Sequence, residues 1–145
     1  GANLPTWLDE GLAMHVEGEL DSSMRSYLKK AVDKQKFISV RSLSSPFSAK
    51  SEDAYLSYAE SQSIVEFLLR NYGKDSMSNL LSLLKEGYSI DEALIKIYGF
   101  DQDGLDSLWS ESLRLSGKQF VPLSCIPSSI PAISQLNNPL ISIFN

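Results

Sequence analysis

Pro5-Thr6-Trp7-Leu8-Asp9-Glu10-Gly11-Leu12-Ala13-Met14-His15-Val16-Glu17 is the stretch on which the reading of this chain turns. Written as a helix over residues 5–18, it sets Trp7, Glu10 and Met14 on one face at i, i+3 and i+7, so a carboxylate falls between two large apolar side chains. A buried carboxylate without a partner costs on the order of several kcal/mol, and is kept only where a cation, a metal or strong donors compensate it. Glu10 therefore requires a partner. Gly11 follows it, and either admits a second helix or a ligand at close range or is a plain packing glycine. His15 lies five residues beyond Glu10, about 140° around a helix, so the two do not reach one metal from a regular helix. It reads as a packed or surface histidine. Asn3 or Thr6 is the expected cap, with Pro5 opening the helix and Gly18 stopping it.

Further along, residues 21–36 form a second helix capped by Asp21 or Ser22, with Met24, Leu28 and Val32 on one side and Arg25, Lys29, Lys30, Lys34 and Lys36 around the other. Such a charge run is ordinarily a solvated face, with an anionic ligand as the minor alternative. Residues 37–50 break the helical period with serines and Pro46 and read as a loop with a short extended start. A third helix, 51–72, carries Tyr55, Tyr58, Val65, Leu68, Leu69 and Tyr72 and ends at Gly73. Residues 75–86 repeat Met77, Leu80, Leu81 and Leu84. Ser89-Ile90-Asp91-Glu92 is a capping box ahead of Ala93, Leu94, Ile97, Tyr98 and a Gly99 stop. Asp101 caps the last helix, lined by Leu105, Leu108, Trp109 and Leu113. Asp101-Gln102-Asp103-Gly104 lacks the remaining ligands of a calcium loop.

The expected fold is all-α, about six helices over residues 1–118, followed by an extended Pro/Ser-rich tail over 119–145. The tail holds no charged residue and four prolines, and Pro122, Pro127, Pro131 and Pro139 interrupt any apolar run long enough to cross a membrane. It reads as a strap over an apolar groove or as a linker. A length of 145 residues with 43% hydrophobic and 21% charged residues suits one globular domain with a real core. The net charge of -5 and the lack of a basic stripe argue against a nucleic-acid partner. Cys125 is the single cysteine, which excludes an internal disulfide and a cysteine-based zinc site.

Trp7-Leu8-Asp9-Glu10-Gly11-Leu12-Ala13 resembles the third-ligand segment of gluzincin metallopeptidases, the aminopeptidase N-like and peptidase MA-like enzymes, whose pattern is W-L-N-E-G-x-A. In that family an HExxH helix supplies two histidine ligands and a glutamate base, and the second helix supplies a glutamate as third zinc ligand. The resemblance implies Glu10 as that ligand, and Asp9, where the family more often has Asn, as a polar neighbour of it. The thermolysin branch has an Asp four residues past the ligand; Met14 stands there, so the likeness is to the aminopeptidase side. Tyr58-Ala59-Glu60-Ser61 resembles the Y-x-K-G segment whose tyrosine steadies the oxyanion, with Ser61 in place of the glycine. A phenol donates a hydrogen bond without carrying charge. The alternative is Tyr58 as core lining beside Tyr55 and Tyr72. Relatives often have a second Tyr where Gln62 stands.

No HExxH occurs, and His15 is the only histidine. A catalytic zinc takes three protein ligands and an open fourth position. The chain is therefore expected to be the C-terminal portion of a zinc peptidase, inactive by itself and without stoichiometric zinc. Its implied partners are the missing N-terminal part of the catalytic domain and a peptide or protein substrate. The rival reading is a non-catalytic helical interaction module or degenerate relative, in which Glu10 is satisfied by a lysine or by backbone donors.

Overall fold

The first helix, α1, spans Thr6–Glu17 and buries Trp7, Leu8 and Gly11. The computed structural model describes residues 3–118, so the tail expected over 119–145 lies outside the described residues. Pro5 is the N-cap, at φ -65° and ψ 147°, and no side chain caps the helix. The expected cap at Asn3 or Thr6 is corrected accordingly: the Thr6 hydroxyl donates to the Ser44 carbonyl at 3.2 Å, a bond to another element in place of its own first turn. Gly18 ends α1 at φ 116°.

Helix α2, Ser22–Lys34, is capped by Asp21, whose side chain accepts from Met24 N–H at 2.9 Å. It stops two residues earlier than its charge pattern implies. Gln35 adopts a left-handed conformation, φ 51°, and Lys36 N–H closes back on the Ala31 carbonyl at 3.0 Å. This is a capping geometry that glycine usually fills. Only Ala31 of α2 is fully buried, while Met24, Leu28 and Val32 are half-buried. The loop that follows contains one 3-10 turn, Ser42–Ser44, which sinks Leu43 into the core.

Helix α3, Ser51–Lys85, runs through the point where a stop was expected, yet Gly73 sits at φ 84° and ψ 174°, outside helical values. The hydrogen-bonded helix thus consists of two pieces joined by a kink at that glycine, since an L side chain resists such a φ. Helix α4, Ile90–Tyr98, has the expected capping box, with Glu92 reaching back to Ser89 N–H at 3.0 Å, and Gly99 in the left-handed region. Helix α5, Gln102–Lys118, starts at Asp101, whose carboxylate accepts from Gly104 N–H at 2.9 Å. Among the described residues five α-helices, one of them bent, make an all-α fold. Removing the α4 cap with Ser89→Ala should lower the unfolding free energy by about 1 kcal/mol. Urea denaturation reads the change, and an unchanged midpoint would mean that α4 is held by packing alone.

α3 is the central element: α1, α2 and α4 all pack on it, and α5 closes the body against α2 and α4. Trp7, Leu8, Val40, Leu43, Ile64, Leu68, Leu80, Leu94, Leu105 and Trp109 form the buried core. Three expected core positions face outward instead, Leu108, Tyr55 and Tyr72. Leu108 is 45% exposed, because α5 packs through the narrow row of Leu105 and Trp109. Tyr55 is 41% exposed and stacks on Tyr27, with ring centres 5.7 Å apart. Among the described residues no helix is long and apolar enough to cross a membrane.

Candidate functional site

α1 packs on α3, and Gly11 lies at the contact. A Cβ built on Gly11 would fall 2.4 Å from the Ser61 carbonyl oxygen and 2.6 Å from Val65 Cγ2. Of the two readings of Gly11, close approach of a second helix is therefore the one realised. The same contact fixes the residue before it. Glu10 lies on the flank of the buried face, half-buried, while Asp9 is exposed. Its position between Trp7 and Met14 is thus less apolar than the helical spacing implies, because the face that α3 covers is Trp7, Leu8 and Gly11. Neither Glu10 nor Asp9 has a basic group within ion-pair distance among the described residues.

Tyr58 stands on α3 one turn before Ser61, the residue whose carbonyl lies against Gly11. It is half-buried, and Phe47 meets its ring edge-on, with centres 5.1 Å apart. Its hydroxyl makes no hydrogen bond among the described residues, and its ring packs against a neighbouring aromatic.

His15 is turned away from Glu10. Its Nδ1 lies 3.8 Å from Glu66 Oε1, and both side chains are about two-fifths exposed, at 41% and 40%. Glu66 Oε1 also accepts from Gln62 Nε2 at 3.1 Å, and the same amide donates to the Gly18 carbonyl at 2.7 Å. Gln62 thereby ties the end of α1 to α3.

The loop after α2 is held by carboxylates to which the sequence assigns no such role. Ile38 N–H donates to Glu60 Oε1 at 3.1 Å, and Val40 N–H to Asp106 Oδ1 at 2.9 Å. Arg41 bridges Asp91 at 2.9 Å and Asp103 at 3.0 Å, joining the loop to α4 and α5. Burial opposes the charge on Asp91, yet the Gln102 N–H and the Arg41 guanidinium hold its carboxyl below the usual range. Gln102, itself buried, accepts from the Trp7 indole at 3.4 Å and from the Ser44 hydroxyl. A signal for Glu60 was present in the sequence: Glu60, Ile64, Phe67 and Leu68 recur at i, i+4, i+7 and i+8, which puts the carboxyl on the apolar side of α3.

Among the described residues no three His, Cys, Asp or Glu side chains come together as a metal site. Glu10 offers one carboxylate, so the described residues do not fit a complete zinc centre. A concavity of about 600 Å³, lined by Leu4, Pro5, Ser44 and Tyr88 among others, opens beside the start of α1 and includes neither Glu10 nor Tyr58.

No curated protein and no solved structure matches the chain. The sequence model of the Peptidase MA superfamily matches residues 1–115, which takes in α1, the α1–α3 crossing and most of α5. The segment around Glu10 and the helices packed on it fall within one family domain, and this chain belongs to the Peptidase MA superfamily.

Proposed function

We propose that this chain is the part of a gluzincin-type zinc peptidase that carries the third metal ligand, Glu10, and the oxyanion donor, Tyr58. The observation that carries the reading is the state of Glu10: half-buried, without a basic partner among the described residues, and fixed by the Gly11 contact in a domain of this superfamily. A bound zinc would supply a nucleophilic water at neutral pH and a Lewis acid for the substrate carbonyl. The residues here have narrower tasks. Glu10 presents a carboxylate in a position set by helix packing. Asp9, next to it and exposed, gives the ligand a polar neighbour. Tyr58, with its ring steadied by Phe47, offers a neutral O–H to a developing oxyanion, and a preorganised donor of this kind is worth most where water is excluded.

The remaining ligands and the general base come from residues outside these 145. The chain alone is inactive, and its substrate in the assembled enzyme is a peptide or protein. The test is metal content measured on two polypeptides. The 145-residue chain should carry no stoichiometric zinc, while a longer polypeptide that includes the residues encoded upstream of Gly1 should hold one equivalent. Glu10→Ala in the longer form should release the metal, and Tyr58→Phe should keep it while losing turnover. A longer polypeptide that binds zinc equally well after Glu10→Ala overturns the ligand assignment. One that binds no zinc at all leaves the non-catalytic helical module as the reading that stands.

A further inference from the structure

Glu60 is the one glutamate in the apolar interior of the described residues. It is 0% exposed, yet its only protein partner is the Ile38 N–H at Oε1, and Oε2 has none. Every element packed around it contributes something different. α3 places the side chain; the segment after α2 contributes the Ile38 amide; and α5 contributes the carboxylate of Asp106, whose negative charge bears on Glu60. No cation among the described residues offsets the two acids. Asp106 also holds the same segment two residues further on, through Val40 N–H.

An ionised carboxylate in that position is opposed by lost hydration and by the neighbouring acid, and one oxygen has no donor at all. A neutral carboxyl avoids both penalties and still accepts from Ile38. We propose that Glu60 is a proton-operated latch on residues 38–40: neutral, it holds the segment in the cleft between α3 and α5; ionised, it reaches water only by letting that segment lift. The bond broken is Ile38 N–H to Glu60 Oε1, and the proton goes to solvent. Burial above all, with Asp106 adding to it and the Ile38 N–H opposing, pushes the Glu60 carboxyl up to about 8 from 4.5.

The sign follows from linkage. The closed state keeps its proton up to about pH 8, and the opened or unfolded state releases it near 4.5. Closure is therefore strongest below 4.5 and weakens as pH rises through the window from 4.5 to 8, by about tenfold in the opening constant per pH unit, then levels off. The same segment leads to Phe47, which walls Tyr58, so alkaline opening would loosen that wall; this consequence alone rests on the proposed function. The latch does not.

Amide hydrogen exchange of the 145-residue chain tests it without metal or substrate. After correction for the intrinsic pH dependence of exchange, the opening constant at the Ile38 and Val40 amides should rise roughly 50-fold between pH 6 and pH 8. Glu60→Gln, which keeps the acceptor for Ile38 but cannot ionise, should show a flat profile. Asp106→Asn should bring the levelling-off to lower pH. Carbon-13 titration of the Glu60 carboxyl in the unmodified chain gives an independent reading if Glu60→Gln does not fold, with a midpoint expected near 8. Equal corrected protection at both pH values, or a Glu60 midpoint in the ordinary carboxylate range, overturns the proposal. So does a Glu60→Gln variant that opens with pH as steeply as the unmodified chain.

Discussion

Gly11→Ala should lower the unfolding free energy by about 3 kcal/mol, the upper part of the range for forcing an extra methyl into a closed interface. The sign is the informative part. In an unobstructed helix interior, alanine in place of glycine stabilises by about 1 kcal/mol, because the glycine backbone loses more freedom on folding. At position 11 the new methyl would meet the Ser61 carbonyl at 2.4 Å and Val65 Cγ2 at 2.6 Å. A side-chain methyl such as Val65 Cγ2 can rotate aside, but a backbone carbonyl inside α3 cannot, so α1 as a whole must move. Urea denaturation measures the loss. A neutral or stabilising result would show that α1 does not lie on α3 in this register, and the placement of Glu10 would lose its basis. With the displacement, zinc affinity of the longer polypeptide should fall along with stability, even though Gly11 itself ligates nothing.

Trp109→Ala should cost about 3–5 kcal/mol, the range for removing a buried aromatic. Trp109 is 1% exposed, stands edge-on to Phe37 with ring centres 5.4 Å apart, and donates its indole N–H to the Ser63 hydroxyl at 3.0 Å. One side chain thus joins α5, α3 and the segment after α2. Trp109→Phe keeps most of the ring contact and loses the indole donor, so it should cost only about 1–2 kcal/mol. Thermal and urea unfolding of both variants separate packing from hydrogen bonding. Equal losses for the two would mean that the bond to Ser63, and not the burial, anchors α5.

The sequence alone determined where the helices begin and end wherever the signal is confined to one turn. Asp21 bonding Met24, the Ser89–Glu92 box, Asp101 at the head of α5 and the glycines at 18 and 99 all act within a few residues of themselves, whereas Gly73 bends α3 without ending it. Their effect is the same whatever packs outside. The apolar spacing of Met77, Leu80 and Leu84 likewise identified a buried face correctly. The superfamily was legible too, because Trp7 to Ala13 is a continuous run of sequence.

Other features depended on partners distant in the chain. Thr6 had the chemistry of a cap but bonds the Ser44 carbonyl, 38 residues away. Gly11 had two readings until Ser61 filled the space beside it. Leu108 satisfied the helical period and still faces outward, since periodicity orders a face without saying how wide a strip its neighbours cover. The sequence reading put the unpartnered carboxylate at Glu10, whereas the fully buried one is Glu60. Its surroundings are assembled from Ile38 and Asp106, 22 residues before it and 46 after it. Hydrogen bonds within one turn form wherever the turn forms, so sequence encodes them directly. Burial of a carboxyl, the clearance beside a glycine and the company of a tyrosine depend on how whole helices stack, and only the tertiary structure decides them.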